Sequence, residues 1–214
     1  MKFIISRYQE SIEWIHEYTE DYLIFNKGEP LGEDSRIINM PNIGSNIRDI
    51  PEFIYLYYNN LPDTMLFCQA YPFDHCKKEV FNTLIKNDYF TPLEYYGNIP
   101  GNDYEDRDET GGFLERNNSW YIAPHNNTHY QTCQYESFDE FMNKYFSDYE
   151  HLDWIRFSPG AQYIVPKENC VFYPIDFWNH LRNEMRTKNP TEAQMIERTM
   201  YYILTNKYTR RIIE

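Results

Sequence analysis

Short apolar runs alternate with amphipathic stretches along the first half of the chain. The runs KFIIS, DYLIFNKG and DTMLFCQA are too short for helices and have the composition of buried strands. The stretches between and after them carry apolar residues at helical spacing: QESIEWIHEY, with Trp14 as a predicted core residue, IPEFIYLYYNN and KKEVFNTLIKN. Strands that alternate with helices predict a single α/β domain with a mainly parallel sheet and helices on both faces.

The second half of the chain predicts further strands and three further helices. The strand candidates are SWYIAP and GAQYIVP. The helical stretches are SFDEFMNKYFSDY, PIDFWNHLRNEMRTK and NPTEAQMIERTMYYILTNKY. In the first of them, Ser137 is the predicted N-cap and Glu140 completes a capping box. Two stretches lack periodicity and are predicted loops, residues 28–51 and the acidic GNDYEDRDETGG.

The composition and net charge of the chain argue against several classes of protein. The 214 residues carry a net charge of -13, and no basic cluster precedes the TRR near the C-terminus, which argues against a nucleic-acid partner. The N-terminus turns polar too early for a signal peptide, and no run approaches the roughly 20 apolar residues of a membrane span. We therefore expect a cytoplasmic protein without a membrane span. The cysteines form no C-x-x-C pair and are expected to be free thiols.

Polar residues follow the three predicted strands at the point where each strand ends. In an open α/β sheet, ligands bind in the crevice at the carboxyl ends of the strands, where the loops diverge. The residues expected at this edge are Arg7, Glu10, Asn26, Lys27, Gln69, Asp74 and His75. Arg7 and Lys27 are candidate phosphate partners, Arg through a bidentate fork and Lys as a point charge. The alternative for Arg7 is an ion pair with Glu10 or Glu13.

Asp74 and His75 place a carboxylate next to an imidazole after the third strand. Such a pair can act as a general base or bind a divalent ion. The alternative is that Asp74 caps the helix predicted to start at Cys76, which leaves His75 as the freer group. On the last helix, Glu197 and Arg198 are expected to form a surface pair unless that helix packs across the edge of the sheet.

Two further patterns are compatible with a metal ion. Asp106-Arg107-Asp108 is a formal D-x-D of the kind that holds a metal bound to a nucleotide diphosphate, and the alternative is a solvated acidic loop. His125 and His129 have the i, i+4 spacing of metal ligands, although APHNNTHY is poor helix sequence. Mn²⁺ or Mg²⁺ is therefore a candidate cofactor.

Six motifs, in order, resemble a domain family of unknown function found in bacteria, fungi and large viruses. They are SRYQESIEWI, IFNKG, MPNIG, NNLPDTMLFCQAYPFDH, SPGAQYIVPKEN and NPTEAQMIERTMYYIL. The family pattern is R-Y-x-E-x-x-x-W, Y-N-K-G, L-P-N-x-G, L-P-x-x-x-x-F-x-Q-x-x-P-x-x-H, G-A-Q-[FY]-x-V and a helix with E-R. The similarity covers nearly the whole chain. It departs at Ser45-Asn46, where the family tends to have Arg-Glu, and at Ala70, where Gly is expected.

This family is similar in turn to glycosyltransferases of the A-type fold, which has a Rossmann-like sheet. The resemblance implies an enzyme of polysaccharide biosynthesis that moves a sugar from a nucleoside diphosphate sugar to a glycan or related acceptor. The donor-binding positions that it implies are Arg7, Glu10, Asn26, Lys27, Asn42, Gly44, Gln69, Gly160 and Gln162. The catalytic base would come from His75, Asp74 or Glu197.

Two other functions are compatible with the same residues. A non-catalytic carbohydrate- or protein-binding module on the same fold would suit the 21 Tyr residues and the lack of an apolar strand before the D-x-D. A metal-dependent hydrolase would use His75, His125 and His129.

Overall fold

The computed structural model describes residues 1–94, 105–107, 112–119, 121–123 and 133–212, with the backbone alone for residues 105–107. The strands are β1 Lys2–Arg7, β2 Tyr22–Asn26, β3 Ile37–Asn39, β4 Thr64–Gln69, β5 Thr91–Pro92, β6 Glu105–Arg107, β7 Phe113–Arg116, β8 Trp154–Phe157 and β9 Tyr163–Pro166. The α-helices are α1 Asp49–Tyr57, α2 Lys78–Leu84, α3 Phe138–Tyr145, α4 Lys167–Val171, α5 Ile175–Glu184 and α6 Thr191–Leu204. Short 3-10 helices span Glu13–Glu17, Tyr58–Asn60 and Pro72–Asp74.

The main sheet has six strands in the order β3-β2-β1-β4-β9-β5. The first four of these are parallel to one another, whereas β9 is antiparallel to both β4 and β5. The predicted α/β class is confirmed in a single compact domain, and the sheet is mixed. A second sheet, in the order β6-β7-β8, is antiparallel throughout, and the apolar pattern does not predict it.

The longer apolar runs form strands as predicted. Several short strands lie in segments that the apolar pattern does not predict as strands. KFIIS, DYLIFNKG, DTMLFCQA and GAQYIVP contain β1, β2, β4 and β9. However, β3 and β6 lie inside predicted loops, and SWYIAP contains no strand among its described residues. Short segments become strands when a neighbouring strand edge supplies their hydrogen-bond partners, and periodicity over three or four residues cannot reveal that neighbour.

The helix predicted in QESIEWIHEY is reduced to the 3-10 helix Glu13–Glu17. The preceding turn explains the difference, because the Glu10 carboxylate accepts hydrogen bonds from the amides of Tyr8 and Gln9 at 2.8 and 3.0 Å. The chain must then reach the start of β2 at Tyr22. Between this turn and β2, the helical residues are Glu13–Glu17.

Alternate residues of the main sheet face two hydrophobic cores. In β1, Ile4 faces the larger core, to which α1, α3, α5 and α6 contribute, whereas Phe3 and Ile5 face the smaller core beneath the first 3-10 helix and α2. Trp14 packs at the edge of the smaller core, and its indole N–H donates to a backbone carbonyl oxygen at 2.6 Å. Because helices cover both faces, the carboxyl edge of the sheet is where a ligand can reach the strand ends.

The predicted N-cap of α3 is present, whereas the Glu140 carboxylate bonds one residue before the position that a capping box requires. The Ser137 hydroxyl accepts a hydrogen bond from the Glu140 amide at 3.1 Å, and the Glu140 carboxylate accepts one from the Glu136 amide at 2.6 Å. We expect Ser137→Ala to lower the free energy of unfolding by about 1 kcal/mol in urea denaturation. Ser147→Ala is the control, because that exposed hydroxyl makes a long bond of 3.4 Å. An equal loss in both variants would contradict the capping role.

The structure bears on two features expected from composition, the state of the cysteines and the length of the helices. The cysteines Cys68, Cys76, Cys133 and Cys170 are free thiols, as predicted. In the described ranges the longest helix is α6 with 14 residues, and no helix combines the length and the apolar character that a bilayer span requires.

Candidate functional site

The order of the strands reverses between β1 and β4. From β1 the chain moves outward to β2 and β3, and it then returns to β4 on the other side of β1. The loops that leave the carboxyl ends of β1 and β4 therefore diverge, and open α/β sheets form binding crevices at such points. Ser6 near the end of β1 pairs in register with Gln69 at the end of β4. Two cavities open beside these strand ends.

The first cavity has a volume of about 310 Å³ and lies beside the ends of β1 and β2. The predicted donor-binding residues that line it are Arg7, Glu10, Lys27, Asn42 and Gln69. Lys188 also lines it, from the loop between α5 and α6, together with the exposed ring of Tyr8. We call this space the cationic cavity, because three basic side chains line it in a chain with a net charge of -13.

Arg7 has only 9% of its surface exposed, yet the described residues give its charge no carboxylate partner. Its Nε donates to the Glu10 carbonyl oxygen at 2.8 Å, and its Nη1 donates to the Asn26 side-chain oxygen at 2.6 Å. Nη1 also reaches the carbonyl oxygens of Tyr8 and Glu29, both at 3.2 Å. The alternative ion pair with a nearby glutamate is not formed. Because buried charges are normally paired, an anion in the cavity would supply the missing charge.

Lys27 is buried beside the same cavity and holds the loop of residues 42–46. Its ammonium lies 2.7 Å from the Asp49 carboxylate and donates to the carbonyl oxygens of Ile43 and Ser45. Burial lowers the pKa of Lys27 and raises the pKa of Asp49, and the attraction between the two charges opposes both shifts. If Lys27 contacts a phosphate, Asp49 therefore already balances part of the charge of its ammonium group.

Asn26 and Gly44 support the cationic cavity and are not among its lining residues. Asn26 holds the guanidinium described above. Gly44 has a φ of 68°, and its amide donates to the Thr187 carbonyl oxygen at 2.7 Å. A Cβ at this position would lie 2.8 Å from the Cβ of Met185. Glycine therefore lets this loop contact the segment that leads to Lys188.

The second cavity has a volume of about 370 Å³ and lies beside the end of β4. Asn46 and Gln69 line both cavities, so the two share a wall. The other polar residues around the second cavity are His75, Glu115, Tyr121, Gln194, Glu197 and Arg198. We call this space the carboxylate cavity. It brings together the predicted site residues His75, Gly160 and Glu197.

Glu197 and Arg198 are buried, so the interpretation as a surface pair is wrong. The reason is that α6 packs against β8 of the second sheet. Arg198 Nε donates to the Glu115 carboxylate at 2.7 Å, and Nη1 donates to the Glu197 carboxylate. The guanidinium carbon lies 4.2 Å from the centre of the Phe157 ring. Two buried carboxylates therefore share one guanidinium.

The environment of Glu197 raises the pKa of its carboxyl group. Burial raises the pKa of Glu197, and the Arg198 charge and the Gly160 amide offset this rise only in part. The Glu115 charge adds to the rise. A carboxyl group with a raised pKa exchanges a proton more readily near neutral pH, which suits a general base.

Gly160 connects the two cavities. Its amide donates to the Glu197 carboxylate at 2.6 Å, and its carbonyl oxygen accepts from the Asn46 side chain at 2.8 Å. Its φ is +73°, and a Cβ there would lie 2.9 Å from the Gln69 amide nitrogen and 3.2 Å from His75 Cδ2. Glycine therefore allows Gln69, His75 and Glu197 to gather around one backbone position.

Gln162 supports the site from behind. It is fully buried, and its Nε2 donates to the Pro72 carbonyl oxygen at 3.2 Å. This bond fastens the start of β9 to the turn that carries His75. Gln162 is not among the lining residues of either cavity.

Asp74 is exposed and is not among the lining residues of either cavity. The predicted cap is wrong, because α2 begins only at Lys78 and has no side-chain cap. Instead, Pro72 starts a 3-10 turn, and its carbonyl oxygen accepts from the amides of His75 and Cys76 at 3.3 and 3.1 Å. The Cys76 amide, which Asp74 could cap, is thus already bonded within this turn.

Among the cavity residues that the sequence did not predict are Asn46, Glu115 and Lys188. Asn46 carried a signal, since it stands directly after the motif MPNIGS. Glu115 lies in β7, which the pattern does not predict, and Lys188 lies in a loop between two helices. No local spacing distinguishes these two residues from ordinary surface charges.

The metal patterns of the sequence fall largely outside the described residues. Asp108, His125 and His129 lie outside them, and for Asp106 only the backbone is described, within β6. Among the side chains that the structure describes, no group of three or more His, Cys, Asp or Glu residues is placed to hold a metal ion.

Comparisons of the chain with protein-family models, with curated proteins and with solved structures gave no significant match. Function must therefore be argued from the geometry and charge of the two cavities.

Proposed function

We propose that the chain is a glycosyltransferase that moves a sugar from a nucleoside diphosphate sugar to a hydroxyl group of a glycan or related acceptor. The observation that carries this proposal is the buried Arg7 guanidinium, whose described partners are all uncharged, in the wall of an open cavity. A diphosphate in this cavity would supply an anionic partner for the Arg7 guanidinium. The reversal of strand order beside the cavity and the resemblance to A-type glycosyltransferases support the same function by analogy.

The donor diphosphate would lie in the cationic cavity. Lys188 is exposed there, with its ammonium 5.7 Å from the centre of the Tyr8 ring, so it can reach a phosphate oxygen together with Arg7. The Tyr8 ring is 42% exposed and offers a face on which a nucleobase can stack. The sugar of the donor would then point toward Gln69, which the two cavities share.

The acceptor hydroxyl would lie in the carboxylate cavity beside Glu197. In an inverting transfer, Glu197 takes the hydroxyl proton, the hydroxyl oxygen attacks the anomeric carbon, and the bond from that carbon to the diphosphate oxygen breaks. The diphosphate leaves with the bonding electron pair, and Arg7 and Lys188 stabilise its charge. His75 lines the same cavity and is the alternative base, whereas the position of Asp74 does not support a catalytic role.

A Mn²⁺ or Mg²⁺ ion could also stabilise a leaving diphosphate. In the described part of the cationic cavity the carboxylate is that of Glu10, whose Oε2 already accepts two backbone amides. One carboxylate beside three basic side chains is a poor donor set for a divalent cation. The proposed step therefore assigns the leaving-group charge to the basic side chains.

Donor binding tests this proposal. We expect one member of a panel of UDP-, GDP- and dTDP-sugars to raise the melting temperature, because a ligand of the native state stabilises it. Lys188→Glu should weaken the affinity for that donor by about tenfold or more, since it removes a charge-assisted contact. Its fold should be unaffected, because Lys188 is exposed.

The matched control is Lys78→Glu, an exposed lysine that pairs with Glu17 at 2.8 Å and lines neither cavity. This variant should bind the donor like the wild type. The proposal fails if no donor gives a shift, with or without Mn²⁺, or if Lys188→Glu binds as tightly as the control.

A further inference from the structure

A third cavity, of about 440 Å³, lies beside the junction of β7 and α3, and we call it the β7–α3 cavity. Its principal lining residues are Arg116, Asn117, Ser137, Asp139, His151 and Asp153. Neighbouring residues of a strand point to opposite faces, and in β7 Glu115 lines the carboxylate cavity whereas Arg116 lines this one. The β7–α3 cavity is thus separate from the proposed transfer centre. Its volume is within the range of small-molecule sites.

Asp139 is held in one orientation at the wall of this cavity. Its Oδ1 accepts from Asn117 Nδ2 at 2.8 Å and from the Tyr149 hydroxyl, and its Oδ2 lies 2.7 Å from His151 Nδ1. Burial alone would raise the pKa of Asp139, but these partners outweigh it and the pKa is lowered. The carboxylate is therefore charged and immobile at neutral pH.

The bond to Asp139 also fixes the imidazole of His151. Because Nδ1 donates to a carboxylate, Nε2 is an acceptor in the neutral ring and a donor in the protonated ring. The hydrogen bond to Asp139 raises the pKa of His151. Nε2 lies 3.6 Å from the Asp153 carboxylate, and 61% of the side chain is exposed. The ring therefore has a fixed direction and a nitrogen that a ligand hydroxyl group can reach.

The charges around the cavity nearly cancel. Arg116 is positive, Asp139 and Asp153 are negative, and His151 adds a second positive charge when its ring is protonated. The guanidinium of Arg116 also lies 4.2 Å from the centre of the Trp154 ring, which fixes its plane. A charged ligand gains no net attraction from such a lining. A neutral ligand whose groups both donate and accept hydrogen bonds can use the fixed carboxylate, amide, guanidinium and imidazole together.

We propose that the β7–α3 cavity binds a neutral saccharide unit. Each sugar hydroxyl is a donor and an acceptor at once, which matches the alternation of fixed acceptors and donors along this wall. The proposal rests on the proposed function only for the origin of the sugar, which would be part of the acceptor glycan held away from the transfer centre.

The test is an NMR titration of the full chain with the methyl glycosides of glucose, galactose, mannose and N-acetylglucosamine. The imidazole resonances of His151 are assigned by their loss in His151→Gln. We expect at least one glycoside to shift these resonances saturably. Asp139→Asn should weaken that binding by about tenfold or more, since it releases the imidazole. Arg116→Gln is the second variant and should weaken it as well, whether or not Asp139→Asn folds.

The control variant is Asp176→Asn, an exposed carboxylate that pairs with Arg210 at 2.9 Å and should leave the titration unchanged. The proposal is overturned if no glycoside moves the His151 resonances, if inorganic phosphate moves them instead, or if both cavity variants bind like the control. Donor binding in the cationic cavity is measured separately through Lys188→Glu. If the glycoside titration or the donor-binding experiment gives a negative result, the other experiment still tests its own proposal.

Discussion

Arg198→Met is expected to lower the free energy of unfolding by about 3–5 kcal/mol, because it leaves two buried carboxylates without their shared cation. Glu115 and Glu197 are 1% and 7% exposed, and Arg198 bonds to both. Methionine keeps much of the side-chain volume, so the loss reports mainly on charge. Urea denaturation at neutral pH measures the effect.

The control for this variant is Arg210→Met. Arg210 Nη1 donates to both carboxylate oxygens of Asp176 at 2.9 Å, but both side chains are partly exposed. Exposed pairs contribute roughly 0–1 kcal/mol, so this variant should change little. If the two variants lose the same stability, Arg198 is not the cation on which the carboxylate cavity depends.

The loss of stability in Arg198→Met is expected to depend on pH. The pKa of Glu197 is raised in the folded state above its unfolded value of 4.5. Stability linked to such a group is fully present below the unfolded pKa and is lost as the pH rises through the folded pKa. Without Arg198 this loss grows, because the guanidinium no longer offsets the cost of burying the charged carboxylate. The difference in stability between Arg198→Met and the wild type should therefore narrow as the pH falls toward 4.5.

Gly28→Ala is expected to destabilise the fold by about 1–3 kcal/mol or more, as overpacking does, and to weaken donor binding. A Cβ at this position would overlap the carbonyl oxygen of Tyr8 and lie 2.6 Å from its carbonyl carbon. The clash is with backbone, so the turn that follows Arg7 must move. Because Tyr8 and Arg7 line the cationic cavity, the movement disturbs the proposed phosphate site.

Gly32→Ala is the control for Gly28→Ala. Gly32 has a φ of +88°, but a Cβ there would have no atom within 4 Å. That variant should therefore cost about 1 kcal/mol of backbone strain and leave donor affinity unchanged. Melting curves with and without the donor separate the two effects. Equal behaviour of the two alanine variants would mean that the close approach of residues 8 and 28 does not shape the cavity.

The strands that build the site could be predicted because they are apolar over their whole length. β1, β2 and β4 are buried in the centre of the main sheet, and their composition is sufficient to identify them. β3, β6 and β8 are three or four residues long. Each pairs with a strand that is distant in sequence or that lies in a segment without a strand pattern. For the same reason, the apolar pattern does not predict the second sheet.

The candidate site was predictable where its residues directly follow a strand. Arg7, Lys27, Gln69 and His75 were placed at one edge by the topology rule, and each lines one of the two cavities. The burial of Glu197 was not predictable, because it depends on how α6 packs against β8. Glycosyl transfer and the residue roles in it stay proposals, and a non-catalytic binding module would use the same anion site.

The most direct test of the account is a crystal of the protein soaked with the diphosphate form of the donor nucleotide that binds. We expect the diphosphate to lie within hydrogen-bond distance of Arg7 and Lys188, with its terminal phosphate directed toward Gln69 at the wall shared with the carboxylate cavity. A diphosphate bound elsewhere on the chain, with the cationic cavity holding only water, would contradict the account.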